Sequence, residues 1–222
     1  MDALFVASVI SISATGALSP GPLSIITLAL GAKGGWRSGF QIALGHMIFE
    51  FPYVVFLTTL YGSIVVFLEL EIVKYLLTAI IVAFNSFFAY LLISDAMKPV
   101  KTPSHTPNTG NRFTSIKHPL LVGLILTGLN PFFLLWWATV GMPLIDNTLK
   151  YGITTALPVM YFSHVWLDFV WLSFLAHTSS KGAKHLGSEG YRLLLLLLSA
   201  VLMVFAINMV FKTFFKTTLI PL

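Results

Sequence analysis

Long apolar runs separated by short polar links set the pattern of this chain. Residues 3–32 contain no charged side chain, and Lys33 and Arg37 then bracket a glycine-rich turn. Residues 38–68 form a second run, interrupted only by His46 and Glu50, before Glu69, Glu71 and Lys74 mark the next link. A third run covers 75–94, and the pattern resumes at 119–145, 151–180 and 193–211. A hydrocarbon core about 30 Å thick is crossed by roughly 20 helical residues, so each run predicts a spanning helix. The expected fold is an all-α integral membrane protein of six transmembrane helices.

Residues 95–118, rich in Pro, Thr, Asn and Lys, form the only long polar stretch. It has no helical or strand period and reads as a linker. The chain thus divides into residues 1–95, a cytoplasmic linker at 96–118, and residues 119–222. Three spans per half is an odd number, so the second half is expected to run inverted relative to the first.

Composition agrees with the pattern. Of the 222 residues, 57% are hydrophobic and 9% charged, against roughly a quarter charged in soluble domains. The net charge is +5. The basic residues sit in the links, where they act as topology signals, and form no stripe suited to nucleic acid. Links 1–2, 3–4 and 5–6 carry nine of the Lys and Arg residues and the opposite side carries four, Lys74, Lys150, Lys212 and Lys216. That imbalance predicts both termini outside. Absence of cysteine excludes disulfides and thiolate chemistry. Met1-Asp2-Ala3 lacks a basic n-region, so the first run is expected to stay as a spanning helix rather than be cleaved.

Two signatures occur twice. Ser19-Pro20-Gly21-Pro22 interrupts the first span and Asn130-Pro131 the fourth. Each puts an N-cap residue directly before proline, which predicts broken helices with fresh N-termini inside the membrane. Backbone of that kind persists at depth only where it is buried in protein or lines a cavity. The second span carries His46 and Glu50, and the fifth carries His164 and Asp168. Spacing of four puts each imidazole and its acid on one helix face.

Repeats of this type, with discontinuous helices where they meet, are a recurring transporter plan. A two-fold axis in the membrane plane would bring both His–acid pairs to one cavity. Helix N-termini there favour a carboxylate, and the acids favour an ammonium group or a proton, so the set suits a zwitterion. The bland alternative is that each His only satisfies its own acid, while the prolines only kink their helices. Trp36, Trp136, Trp137, Trp166 and Trp171 are expected as interfacial anchors or packing. Asn85, Asn208, His105 and His177 are given no role.

The stretch ALSPGPLSIITLALGAKGGWRSGFQIALG, with Glu50 five residues after Gly45 and with Asn130-Pro131 in the second half, resembles the LysE/RhtB-type amino-acid exporters. Two positions depart from that pattern: Phe132 stands where lysine often follows Asn-Pro, and Phe49 where glycine commonly precedes the acid. The resemblance implies export of amino acids or related metabolites from the cytoplasm, driven by proton influx across a prokaryotic inner membrane. On it, Glu50 and Asp168 take the substrate amine or protons, and His46 and His164 tune or relay them. Ser19, Pro20, Gly21, Pro22, Asn130 and Pro131 then contact the carboxylate.

The expected partners are an amino acid, protons and lipid, with a homodimer as the candidate assembly and with no cofactor, resident metal or enzymatic activity. Three rivals stand beside this reading. One is a divalent-cation transporter built on the two His–carboxylate pairs, since imidazole and carboxylate suit such ions. Another is an intramembrane metal enzyme, against which stand the missing H-E-x-x-H motif and the lack of a nucleophile. The last is a purely structural subunit, which leaves the buried acids unexplained.

Overall fold

A computed structural model describes residues 3–19, 21–97, 118–182 and 187–217. Pro20 and nearly all of the 96–118 linker lie outside the described residues. Within them, regular structure is helical throughout: α1 (Ala3–Ala17), α2 (Pro22–Gly34), α3 (Trp36–Thr59), α4 (Tyr61–Glu69), α5 (Glu71–Ala96), α6 (Pro119–Leu129), α7 (Pro131–Thr139), α8 (Met142–Tyr151), α9 (Ile153–Gly182) and α10 (Gly187–Val210). A π-helical turn, Phe211–Phe215, extends α10. A lipid-facing chain must satisfy its backbone within each segment, which leaves helices as the available element for these apolar runs.

Four segments are long and apolar enough to cross a bilayer singly, namely Trp36–Thr59, Glu71–Ser94, Ile153–Gly182 and Leu195–Phe215. The pairs α1–α2 and α6–α7 bend by 72° and 61° at short breaks, and counting each as one span gives six. Both breaks fall where the Ser19–Pro22 and Asn130-Pro131 signatures predict them. The run at 38–68 is not one helix. It ends at Leu60 (φ −103°, ψ 15°), and α4 continues as a separate nine-residue helix with no buried residue.

The link between the fourth and fifth spans also differs from expectation, because it holds a complete helix. In α8, Met142, Leu144, Ile145 and Thr148 are buried. Asp146 pairs with Lys150 and accepts a hydrogen bond from Tyr61 Oη at 3.1 Å. The Lys150 ammonium, through its hydrogen bond, holds the Asp146 carboxyl below its usual range. With one apolar and one charged face, α8 lies against the bundle rather than through it.

Helices α3 and α9 pack on one another at the centre, and each also carries the broken pair of the other half. Thus α6 lies along α3, while α1 and α2 lie along α9. Missing Cβ atoms permit this proximity. A methyl group on Gly45 would run into the Leu120 carbonyl oxygen, and one on Gly123 into that of Ile42. The largest apolar core joins Phe5 and Val9 of α1, Val54 and Leu57 of α3, Trp136 and Trp137 of α7, Leu144 and Ile145 of α8, and Met160, Tyr161 and Val165 of α9. Helices α5 and α10 form a separate pair over Ala89, Leu92, Ala96, Leu195 and Leu202. Phe132 of α7 meets Phe205 of α10, with ring centroids 5.8 Å apart.

Candidate functional site

Four ionisable side chains meet at the crossing of α3 and α9. His46, Glu50, His164 and Asp168 are all buried, Glu50 to within 1% of full occlusion. Helical spacing of four aligns each pair on its own helix, and the crossing sets the two aligned faces against each other. His46 Nε2 lies 3.2 Å from Glu50 Oε1 and 3.9 Å from Asp168 Oδ2. His164 Nε2 lies 3.0 Å and 3.6 Å from the same two atoms. Each imidazole therefore faces the acids of both halves, and neither is spent on its sequence neighbour alone.

The far side of each ring is held by a hydroxyl from the opposite half. His46 Nδ1 is 2.9 Å from Thr127 Oγ1 on α6, and His164 Nδ1 is 2.7 Å from Ser13 Oγ on α1. Thr127 gives its only proton to the Gly123 carbonyl, at 2.6 Å. With that proton so placed, Thr127 Oγ1 accepts from His46 Nδ1–H, the tautomer that this arrangement favours. Ser13 has His164 as its hydrogen-bond partner among the described residues.

Glu50 is a hub. Trp137 Nε1–H donates to its Oε1 at 2.9 Å, and Tyr161 Oη–H donates to its Oε2 at 3.2 Å. Burying a carboxylate costs several kcal/mol, and these donors together with the two imidazoles offset that cost. Asp168 Oδ2, by contrast, is buried with no hydrogen-bond partner among the described residues. Trp137, expected as an anchor or packing residue, is fully buried and acts as a donor to the site. Trp36 and Trp166 are exposed, Trp36 at the start of α3 and Trp166 near the middle of α9.

A cavity of about 80 Å³ adjoins the cluster, lined among others by Ser19, Gly21, Asn130, Phe132 and Phe133 together with all four ionisable residues. A single water needs only about 10–15 Å³ of such space, so several waters or the charged end of a small metabolite fit. Both helix breaks thus border the same space as both His–acid pairs. Their caps differ from expectation at one point. At the second break Asn130 caps α7, accepting from Phe132 N–H at 3.1 Å. At the first break the cap of α2 is Gly21, with Pro22 in the first turn and no side-chain cap, so Ser19 does not fill that role. Pro22 and Pro131 both sit at the first helical position of their helices.

A family model, the LysE type translocator, matches residues 14–213, a range that holds both breaks and both His–acid pairs. The chain belongs to the LysE type translocator family. This translocator is therefore a multi-pass membrane transport protein, in agreement with its helical spans. No curated protein and no solved structure matches it. Ser13, Thr127, Trp137 and Tyr161 are site residues that sequence reasoning passed over. A hydroxyl within a turn or two of each predicted break is the one signal that could have pointed to Ser13 and Thr127.

Proposed function

We propose that this translocator exports amino acids or closely related small metabolites across the cytoplasmic membrane by proton antiport. The observation that carries this reading is the shared cavity, where two carboxylates, two imidazoles and two helix breaks border one space. Buried intramembrane acids are costly enough to carry a functional presumption. Asp168, with an unpartnered oxygen, suits an ammonium group or a proton. The α2 terminus, left without a side-chain cap, suits a carboxylate. At the α7 terminus the Asn130 side chain occupies the Phe132 N–H, so a substrate there meets the amide of Asn130 or displaces it.

On this reading the two halves are inverted repeats, with both termini outside, following the excess of Lys and Arg in links 1–2, 3–4 and 5–6. The apolar core that includes α8 then closes the site on the outer face. The divalent-cation rival keeps one supporting observation, the clustering of His46, Glu50 and Asp168 donor atoms. Inverted proteoliposomes separate the two. With a pH gradient imposed, uptake of lysine, threonine or leucine that disappears in Glu50→Gln and Asp168→Asn supports antiport. Manganese uptake with no amino-acid signal replaces amino-acid export with cation transport.

A further inference from the structure

We infer that His46, Glu50 and Asp168, with His164 alongside, form a binding site for a divalent first-row transition-metal ion. The case starts at Thr127. Its hydroxyl lies 2.6 Å from the Gly123 carbonyl, which favours His46 Nδ1 as donor to Thr127 Oγ1, at 2.9 Å. A neutral His46 then turns the lone pair of Nε2 toward Glu50 Oε1 and Asp168 Oδ2. Three potential donor atoms face one another in a buried space, an arrangement suited to a cation among them.

A proton is the smallest candidate, and it joins one pair of these atoms at a time. One on His46 Nε2 satisfies Glu50 Oε1 at 3.2 Å, and one on His164 Nε2 satisfies the same oxygen at 3.0 Å. Asp168 Oδ2 has no hydrogen-bond partner among the described residues in either case. A multivalent cation satisfies all the donors together. His46, Glu50 and Asp168 each offer one donor atom, and these lie within 4.8 Å of one another. Tetrahedral bonds of about 2.0–2.2 Å set neighbouring donors roughly 3.3–3.6 Å apart. The two separations of His46 Nε2 from the carboxylates, 3.2 and 3.9 Å, bracket that value.

The outer shell is also in place. Metal-bound imidazoles ordinarily donate their second N–H to a fixed acceptor, and bound carboxylates are themselves hydrogen-bonded. Thr127 supplies the first for His46, Ser13 stands at Nδ1 of His164, and Trp137 and Tyr161 hold the two oxygens of Glu50. Two imidazoles and two carboxylates without thiolate select ions of the zinc, cobalt and manganese type over magnesium, which prefers oxygen and water.

The test is a Co²⁺ titration of the full-length protein, stripped of metal by chelator and purified in detergent. Visible d–d absorption should saturate at one ion per chain, yield to Zn²⁺, and persist in excess Mg²⁺. Asp168→Asn and His46→Ala should abolish it, with a monodisperse elution profile confirming that each variant is folded. Thr127→Val, which leaves every ligand in place, should weaken binding about 10–100-fold. No saturable absorption, displacement by Mg²⁺, or full binding by Asp168→Asn overturns the site. Should a ligand variant fail to fold, Zn²⁺ competition on the unaltered protein and the Thr127→Val shift still decide. Amino-acid counterflow in EDTA is scored separately, so failure of the exporter reading and failure of the metal site give different results.

Discussion

The two halves of this translocator place the same residue types at the same spacing and surround them differently. On α3, Glu50 is gripped by Trp137, Tyr161 and both imidazoles, and its partner His46 faces at Nδ1 a Thr127 hydroxyl that also reaches the Gly123 carbonyl. On α9, Asp168 keeps an oxygen with no hydrogen bond, and His164 rests on a serine whose proton has no competing acceptor among the described residues. The same His–acid spacing therefore holds one fixed acid and one available acid. Trp137 and Tyr161 are the source of the difference, and both belong to the apolar core containing α8. The site is thus asymmetric because its surroundings are: a whole helix separates the fourth and fifth spans, whereas Gly35 alone separates α2 from α3.

The sharpest way to break this comparison is to neutralise each acid in turn. Glu50→Gln removes the charge on which the Trp137 and Tyr161 donors and both imidazoles converge, and breaking a buried charged network of this type costs about 3–5 kcal/mol. The variant should lose both transport and thermal stability, read as the temperature at which monodisperse protein disappears. Asp168→Asn removes a group with no hydrogen bond to its Oδ2, so it should lose transport while its stability changes by less than about 1 kcal/mol. Equal stability losses in the two variants would erase the distinction between a fixed and an available acid.

Much of the fold could be read from the chain because bilayer physics makes length and apolarity decisive. The two breaks were legible because proline at a first helical position leaves few alternatives. The end of α3 at Leu60 was not, since apolar residues continue through Phe67 and Leu68 with no proline at the junction. Nor was α8, whose ten residues alternate apolar and charged faces too briefly to stand out beside a long run. Within the site, the pairing of each His with its acid follows from spacing. Their convergence, and the roles of Ser13, Thr127, Trp137 and Tyr161, depend on partners 81 to 151 residues apart, which periodicity does not reach.

A smaller effect sharpens the symmetric side of the comparison. Gly45 and Gly123 admit the contact of α3 with α6, as Gly39 admits that of α3 with α9, where an added methyl would meet the Leu172 carbonyl. Backbone cannot yield as a flexible side chain does, so Gly45→Ala, Gly123→Ala and Gly39→Ala should each cost about 1–3 kcal/mol by overpacking. Thermal denaturation in one detergent compares the three directly. Similar losses indicate that packing is shared by the two halves while the chemistry is not; tolerance at Gly39 alone would move the asymmetry from the side chains into the backbone.

The smallest predicted difference lies between the two hydroxyls. Thr127→Val leaves His46 Nδ1–H facing a methyl group, and an unmet buried donor costs about 1–3 kcal/mol. The ring can escape by moving its proton to Nε2, but that changes the atom facing Glu50 and Asp168. Ser13→Ala should cost less, below about 1 kcal/mol, because His164 can adopt the Nε2–H tautomer and donate to Glu50 Oε1 across the existing 3.0 Å. Nitrogen-15 chemical shifts of the two imidazoles read the tautomers without reference to any transported substrate. A tautomer change at His46 in Thr127→Val, with His164 nearly unmoved in stability by Ser13→Ala, is the expected outcome. The reverse order would assign the fixed ring to α9 and exchange the roles of the two halves.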